Sequence, residues 1–261
     1  MSYKTIKYNE SNKIANITLS RPEVRNAINS KMIDELIDIF EKIELNDEIR
    51  VIILTGEGET FCSGADLNWL KEVKDYTYQE NYNQSLNLIK LLKIIHNHYK
   101  PVICKVNGSA VGGGVGLMLA SDIVIADEKS TFGLSEVAIG IVPAAIVPFL
   151  LARISEVKAR EYLISGNRID ANTAKNLGLI NYIAKSEELE SLTNQISLKI
   201  CNNGRIAVSR VKEMINYFSS VDLSDKNMEY IANIIAKLRT SDEGQEGINT
   251  FLEKRKPNWV D

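Results

Sequence analysis

Apolar positions along the first half of the chain follow two rhythms. Lys4 to Asn9 and Lys13 to Leu19 alternate apolar and polar side chains around Glu10-Ser11-Asn12, which predicts two short strands joined by a turn. After Ser30, read as an N-cap, the period lengthens: Met32, Leu36, Ile39, Phe40 and Ile43 fall on one face of a helix. Val51-Ile52-Ile53-Leu54, Val102-Ile103-Cys104-Lys105-Val106 and Ile123-Val124-Ile125-Ala126 are β-rich apolar runs that predict buried strands. Thr55 to Ser63 reads as a long loop, Tyr82 to His98 as a helix stopped by Pro101, and Gly108 to Gly116 as a glycine-rich connection. From Ala145 onward the pattern is almost wholly helical, with segments near 145–153, 156–164, 171–177, 186–202, 206–218, 224–239 and 242–254. These elements predict an α/β core over residues 1–200 and a helical region over 201–261 that belongs to the same functional unit.

Composition narrows the class. Of 261 residues, 44% are hydrophobic and 25% charged, as in an ordinary globular protein rather than a disordered one. The net charge of -3, from 31 Lys+Arg against 34 Asp+Glu, supplies no basic field for nucleic acid. Cys62, Cys104 and Cys201 lack metal-ligand spacing and form no disulfide framework. No apolar signal core opens the chain, and the longest apolar stretch, Ile139 to Ile154, is too short for a bilayer and carries Pro143, Pro148 and Arg153. A cytoplasmic protein with neither membrane nor nucleic acid as partner is expected.

The glycines at 108–116 match neither GxGxxG nor GxxxxGK[ST]. Two readings stand side by side: main-chain N–H groups facing a ligand at a positive helix end, or small residues allowing close helix–sheet contact. Phe61-Cys62-Ser63-Gly64-Ala65-Asp66-Leu67 is a second exposed-amide candidate, with Asp66 as a helix cap. His96 and His98, the only histidines, lie two residues apart on different helix faces, so they predict surface or C-cap roles rather than a metal pair. Cys62 reads as a packing residue, with a reactive thiol as the alternative.

Taken together, the 61–67 segment and Asn107-Gly108 through Gly112-Gly113-Gly114 resemble the crotonase (enoyl-CoA hydratase/isomerase) superfamily. Leu19 to Ala27, Phe132-Gly133-Leu134-Ser135-Glu136 with Gly140 and Pro143, Glu246-Gly247, and Phe251 to Pro257 extend the likeness from about Leu19 to Trp259. The resemblance implies an α/β crotonase (ClpP/crotonase-like) fold of repeated ββα units with a helical C-terminal trimerisation region, and a homotrimer or homohexamer. It implies a coenzyme A thioester as substrate and no cofactor or metal. By position, Ala65 and Gly113 are the backbone donors to the thioester oxygen, and Glu136 is the catalytic acid or base. Val24, Arg25, Ala27, Ser63, Asp66, Leu67, Gly112 and Ser135 match substrate and CoA-binding positions. Phe251 and Lys254 match residues that reach CoA from a neighbouring subunit.

Gly116 departs from the pattern, because two-glutamate hydratases carry their other catalytic glutamate there. A single carboxylate still suits proton transfer between carbons, as in the family's isomerases. Gly112 to Leu117, Leu134 to Val137, Gly140 to Ala144 and Ala65 to Trp69 look most like bacterial methylglutaconyl-CoA hydratase-type sequences. The expected reaction is reversible hydration of an enoyl-CoA of that branched dicarboxylic type, with Lys71, Lys74 and Arg153 as candidate partners for the extra carboxylate. The alternatives are a single-glutamate isomerase or decarboxylase, or a CoA- or RNA-binding module without turnover.

Overall fold

The computed structural model describes residues 3–219 and 224–260. Among the described residues, ten strands form two sheets. The larger has the order β1 (Ile6–Ser11), β2 (Ile14–Leu19), β3 (Val51–Gly56), β5 (Val102–Val106), β7 (Ile123–Asp127), β10 (Tyr182–Ala184). The smaller has the order β4 (Thr60–Cys62), β6 (Ser109–Val111), β8 (Thr131–Gly133), β9 (Arg168–Asp170). Three times the chain runs from a large-sheet strand to a small-sheet strand and then onward, giving the repeated ββα plan.

Strand period explains how the large sheet is covered on both faces. Ile52 and Leu54 of β3 join the main core, while Val51 and Ile53 turn to a second cluster with Ile14, Ile103 and Ile125. That second face is closed by Leu189 and Cys201 of the helix α8 (Leu189–Cys201). On the first face lie α1 (Ser30–Glu44) and α3 (Tyr78–Asn97), with α2 (Leu67–Val73) preceding α3 and α4 (Gly113–Ala120) following β6. The face of α1 read from sequence is buried throughout. Its N-cap is Asn29 rather than Ser30: Asn29 Oδ1 accepts from Met32 N–H at 2.9 Å. The first turn is a tight hairpin through Asn12 and Lys13, both left-handed at φ 51° and 66°.

The rest is α5 (Val147–Leu151), α6 (Glu156–Ser165), α7 (Ala171–Leu177), α9 (Arg205–Phe218), α10 (Asp225–Thr240) and α11 (Asp242–Glu253). Lys212 ties α9 to the core through Asp122 at 2.7 Å, and Trp259 Nε1 donates to the Asn202 carbonyl at 3.2 Å. Among the described residues, no helix is long and apolar enough to cross a membrane.

The helical boundaries follow the sequence pattern closely, and the missed elements are the three-residue strands. β4 lies inside the expected 55–63 loop, β6 inside the glycine-rich connection, and β9 and β10 inside the stretch read as helical.

Candidate active site

The small sheet places the site. β4, β6 and β8 are adjacent and mutually parallel, so their C-terminal ends open on one edge. The loops leaving those ends are Ser63-Gly64-Ala65, Gly112-Gly113 and Leu134-Ser135-Glu136. Strand pairing therefore gathers three segments that are far apart in the chain, the usual origin of a site at strand C-termini.

Ala65 and Gly113 both border the gathered space. A parallel bridge pairs Ile28 with Ala65: Ile28 N–H donates to the Gly64 carbonyl at 2.7 Å, and Asp66 N–H donates to the Ile28 carbonyl at 2.8 Å. That pattern turns the intervening Ala65 N–H to the opposite side, and Ala65 lines the cavity there. Gly113 is the first residue of α4, where N–H groups have no intrahelical partner and the helix dipole is positive. Gly112 before it has φ +52° and ψ −120°, a conformation open to glycine and strained for other residues. At Gly114 a Cβ would lie 2.7 Å from Cys62 Cβ, so this glycine serves helix–sheet contact, while Gly112 and Gly113 line the cavity.

Glu136 closes the site from above Gly112: a Cβ on Gly112 would lie 3.1 Å from Glu136 Oε1. Burial raises the Glu136 pKa above the usual glutamate range, against a smaller opposing hydrogen bond from its own N–H. Its Oε2 is buried without a hydrogen-bond partner.

These groups open on a cavity of about 520 Å³. Its walls are mostly apolar, with Ile28, Leu70, Val73, Leu88 and Ile146 among them. Among the described residues three buried side-chain atoms lack a hydrogen-bond partner: Glu136 Oε2, Trp69 Nε1 and Gln84 Oε1. All three residues line this cavity. Leaving a buried polar atom unpaired costs about 1–3 kcal/mol, and these three are gathered in one cavity. Glu136 stands within its motif and Trp69 at the end of the Ala65 to Trp69 likeness, without a role; Gln84 carried no sequence signal that set it apart from other helix residues.

Ser63, Ala65, Gly112, Gly113, Ser135 and Glu136, all expected at the site, line the cavity together. Val24 and Arg25 lie beside it: Ser63 N–H donates to the Arg25 carbonyl at 3.0 Å, and Ser63 Oγ donates to the Val24 carbonyl at 3.2 Å. Ala27 is buried next to the Ile28 bridge. The Asp66 carboxylate is fully engaged within the fold, accepting from Asn68 and Trp69 N–H and pairing with Arg21 at 2.6 Å. Leu67 is exposed at the start of α2. Phe251 and Lys254 stand exposed at the end of α11 and do not line the cavity of their own chain.

Other expectations resolve differently. At Gly116 a Cβ would lie 3.2 Å from Ile146 Cγ1 and 3.4 Å from Leu92 Cδ1, so the position of the second glutamate is occupied by apolar packing. Arg153 is unavailable as a carboxylate partner, because its guanidinium donates to the carbonyls of Leu119, Ser121 and Leu179. Lys71 and Lys74 do not line the cavity. His98 is the C-cap of α3 but is buried rather than on the surface, and burial lowers its pKa to about 4. Cys62 is a packing residue whose thiol is pushed up to about 12 by burial. Among the described residues, no group of three or more His, Cys, Asp or Glu could hold a metal ion.

A two-sheet ββα fold whose parallel strand ends hold two glycine-rich amide loops and one carboxyl over an apolar cavity defines the crotonase class of enzyme. The sequence profile of the enoyl-CoA hydratase/isomerase family matches residues 9–261. Similar chains include a mitochondrial enoyl-CoA hydratase of Pongo abelii, 33% identical over 98% of this chain and 86% of that one. A short-chain-enoyl-CoA hydratase of Clostridium acetobutylicum is 30% identical over 98% and 97%. The crystal structure of an enoyl-CoA hydratase from Shewanella pealeana superposes with a TM-score of 0.95 at 31% identity, covering 98% of this chain and 96% of that one. The chain belongs to the enoyl-CoA hydratase/isomerase family, has the α/β crotonase fold, and is an enzyme of that family.

Proposed function

We propose that the protein adds water reversibly across the double bond of an α,β-unsaturated acyl-CoA, with Glu136 carrying the proton and the N–H groups of Ala65 and Gly113 holding the thioester oxygen. The observation that carries this reading is the half-buried Glu136 carboxyl beside Gly112 at the start of α4, one of whose oxygens, Oε2, has no hydrogen-bond partner. Charge that develops on the thioester oxygen meets two fixed amide donors, each worth about 3 kcal/mol at such a site. Ionised Glu136 removes a proton from water as the oxygen bonds to the β-carbon, and the electron pair of the double bond moves onto the thioester as an enolate. The carboxyl then returns that proton to the α-carbon, so one water enters and no proton is lost. A raised pKa suits both halves, because it strengthens the carboxylate as a base and makes its acid form easier to keep than that of an exposed glutamate.

A second reading is favoured by Gly116. With Ile146 and Leu92 filling that position, one carboxyl serves the site, and one is enough to move a proton from the α- to the γ-carbon of a 3-enoyl thioester. The narrower substrate proposal is a branched dicarboxylic acyl group of the methylglutaconyl type, supported by the Ala65-Asp66-Leu67-Asn68-Trp69 and Gly112 to Leu117 segments. Exposed apolar residues on α9–α11, among them Ile215, Met228, Phe251 and Leu252, support assembly as a trimer or hexamer. A cytoplasmic location completes the proposal.

The test is incubation with 3-methylglutaconyl-CoA, crotonyl-CoA and a 3-enoyl-CoA, following conjugated-thioester absorbance and product mass. A mass gain of one water with loss of absorbance is expected. Absorbance gained from the 3-enoyl substrate at constant mass would instead establish the isomerase.

A further inference from the structure

We propose that Trp69 and Gln84 form a hydrogen-bonding subsite in the acyl cavity that selects acyl groups bearing an oxygen, and so decides which thioesters the enzyme accepts. The inference rests on the CoA-thioester reading above and concerns the end of the substrate that takes no part in proton transfer.

The two residues reach the cavity from different helices, Trp69 from α2 and Gln84 from α3, and each presents a buried polar atom with no partner among the described residues. Neighbouring polar side chains on the same face of α3 behave otherwise. Asn81 Nδ2 donates to the carbonyls of Tyr76 and Thr77, and Ser85 Oγ donates to the Asn81 carbonyl. Polarity at those positions is absorbed by the helix itself; at Trp69 and Gln84 it is left for a ligand. A purely apolar acyl chain would be served better by Phe and Leu, which match these shapes without a stranded polar atom.

Chemistry narrows the occupant. An indole Nε1–H only donates, so the ligand must carry an acceptor. The Gln84 amide offers an acceptor at Oε1 and, turned over, a donor at Nε2. A hydroxyl oxygen satisfies both residues by accepting from Trp69 and donating to Gln84, and a carboxylate satisfies both by accepting twice. No Lys or Arg is among the described lining residues, so either oxygen is met by neutral groups rather than by an ion pair. Both helices are held firmly enough to read it. Asp66 caps α2 while paired to Arg21, and Thr77 with Glu80 forms a capping box at the start of α3.

Saturated thioesters test the subsite without turnover. Affinities of pentanoyl-CoA, ω-hydroxypentanoyl-CoA and glutaryl-CoA are measured by calorimetry for the wild-type protein, Trp69→Phe and Gln84→Leu. At least one oxygenated ligand is expected to bind about tenfold more tightly than pentanoyl-CoA, as one well-made buried hydrogen bond allows. That ratio is expected to fall toward unity in each variant, and the hydroxyl and carboxylate arms identify which oxygen is read. Equal affinities in the wild-type protein would mean that the pair holds only solvent, and a preference surviving in both variants would place the selectivity elsewhere; either result overturns the proposal. Failure of all three thioesters to bind would overturn the CoA-thioester reading itself, and this subsite with it.

Discussion

Two regions of this molecule treat their buried polar atoms in opposite ways. Beneath α1 and α9, Glu35, Lys100 and Lys212 all have partners. Glu35 accepts from the N–H groups of Lys4 and Thr5 and from Thr5 Oγ1, and those bonds hold its carboxyl below the usual range although burial opposes them. Lys100 caps the C-terminus of α1 by donating to the carbonyls of Ile43, Glu44 and Asn46. Lys212 meets Asp122, which also accepts from Val102 N–H at 2.7 Å. In the cavity, Glu136, Trp69 and Gln84 each keep one atom unanswered. The first region spends its polarity on holding the fold, and the second withholds it for something that arrives later. Removing a group from the first should therefore cost stability, and removing one from the second should cost activity or selectivity.

The sharpest separation is expected at Glu136. Glu136→Gln should lower kcat by about 10²- to 10⁴-fold, the usual contribution of a general acid or base, while leaving the fold at least as stable. The sign follows from the raised folded-state pKa. The native environment favours the neutral carboxyl, so its contribution is present below the ordinary glutamate pKa and is lost as pH rises through the folded one. Chemical denaturation across pH should show the Gln variant gaining on wild type as pH increases through that range.

Gly112→Ala is expected to come next. A side chain there meets both an unfavourable φ of +52° and the Glu136 carboxyl at 3.1 Å. Displacing that carboxyl by even an ångström should reduce kcat about a hundredfold, read by steady-state kinetics beside a thermal melt.

In the other region the expected loss is thermodynamic. Lys212→Ala leaves Asp122 without its ion-pair partner and should cost about 2–3 kcal/mol, less than a fully buried pair because Asp122 is partly exposed and keeps its bond from Val102 N–H. Urea unfolding measures it, and per-site activity of the folded fraction should be retained. His98 adds a pH signature. Burial depresses its pKa to about 4, so its stabilising contribution is complete above the ordinary histidine value of 6.5 and is lost as pH falls from there toward 4. His98→Asn should flatten that part of the stability profile. The smallest effect is expected from Asn29→Ala, which removes the α1 cap and should cost about 1 kcal/mol.

What could be read from the sequence divides along physical lines. Long periodic elements announce themselves: the Met32 to Ile43 face and the Val51, Val102 and Ile123 strands are legible because many residues repeat one constraint. Three-residue strands repeat nothing, so β4, β6, β9 and β10 disappear into loops and helical stretches, although β4 and β6 with β8 are what assemble the site. Ser30 displaced Asn29 as the expected cap because adjacent residues of both types are good caps, and only geometry chooses between them. At the site, Ala65, Gly113 and Glu136 were reached through motif resemblance. Gln84 was not, and Trp69 entered only as the end of the Ala65 to Trp69 likeness with no role, since an unpaired atom is a property of surroundings and not of residue type. The candidate cation Arg153 shows the same limit from the other side: its charge is plain in the sequence, and its engagement with three carbonyls is not.

The central claim is that Glu136 moves a proton at the α-carbon of a thioester held by Ala65 and Gly113. Its most direct test is incubation of butyryl-CoA with the enzyme in D₂O, with the acyl group followed by mass spectrometry. This substrate can be neither hydrated nor isomerised, so only proton exchange is read. Deuterium entering the α-position with wild-type protein and not with Glu136→Gln is the predicted result. No exchange with the wild-type enzyme, or equal exchange with both, would contradict it.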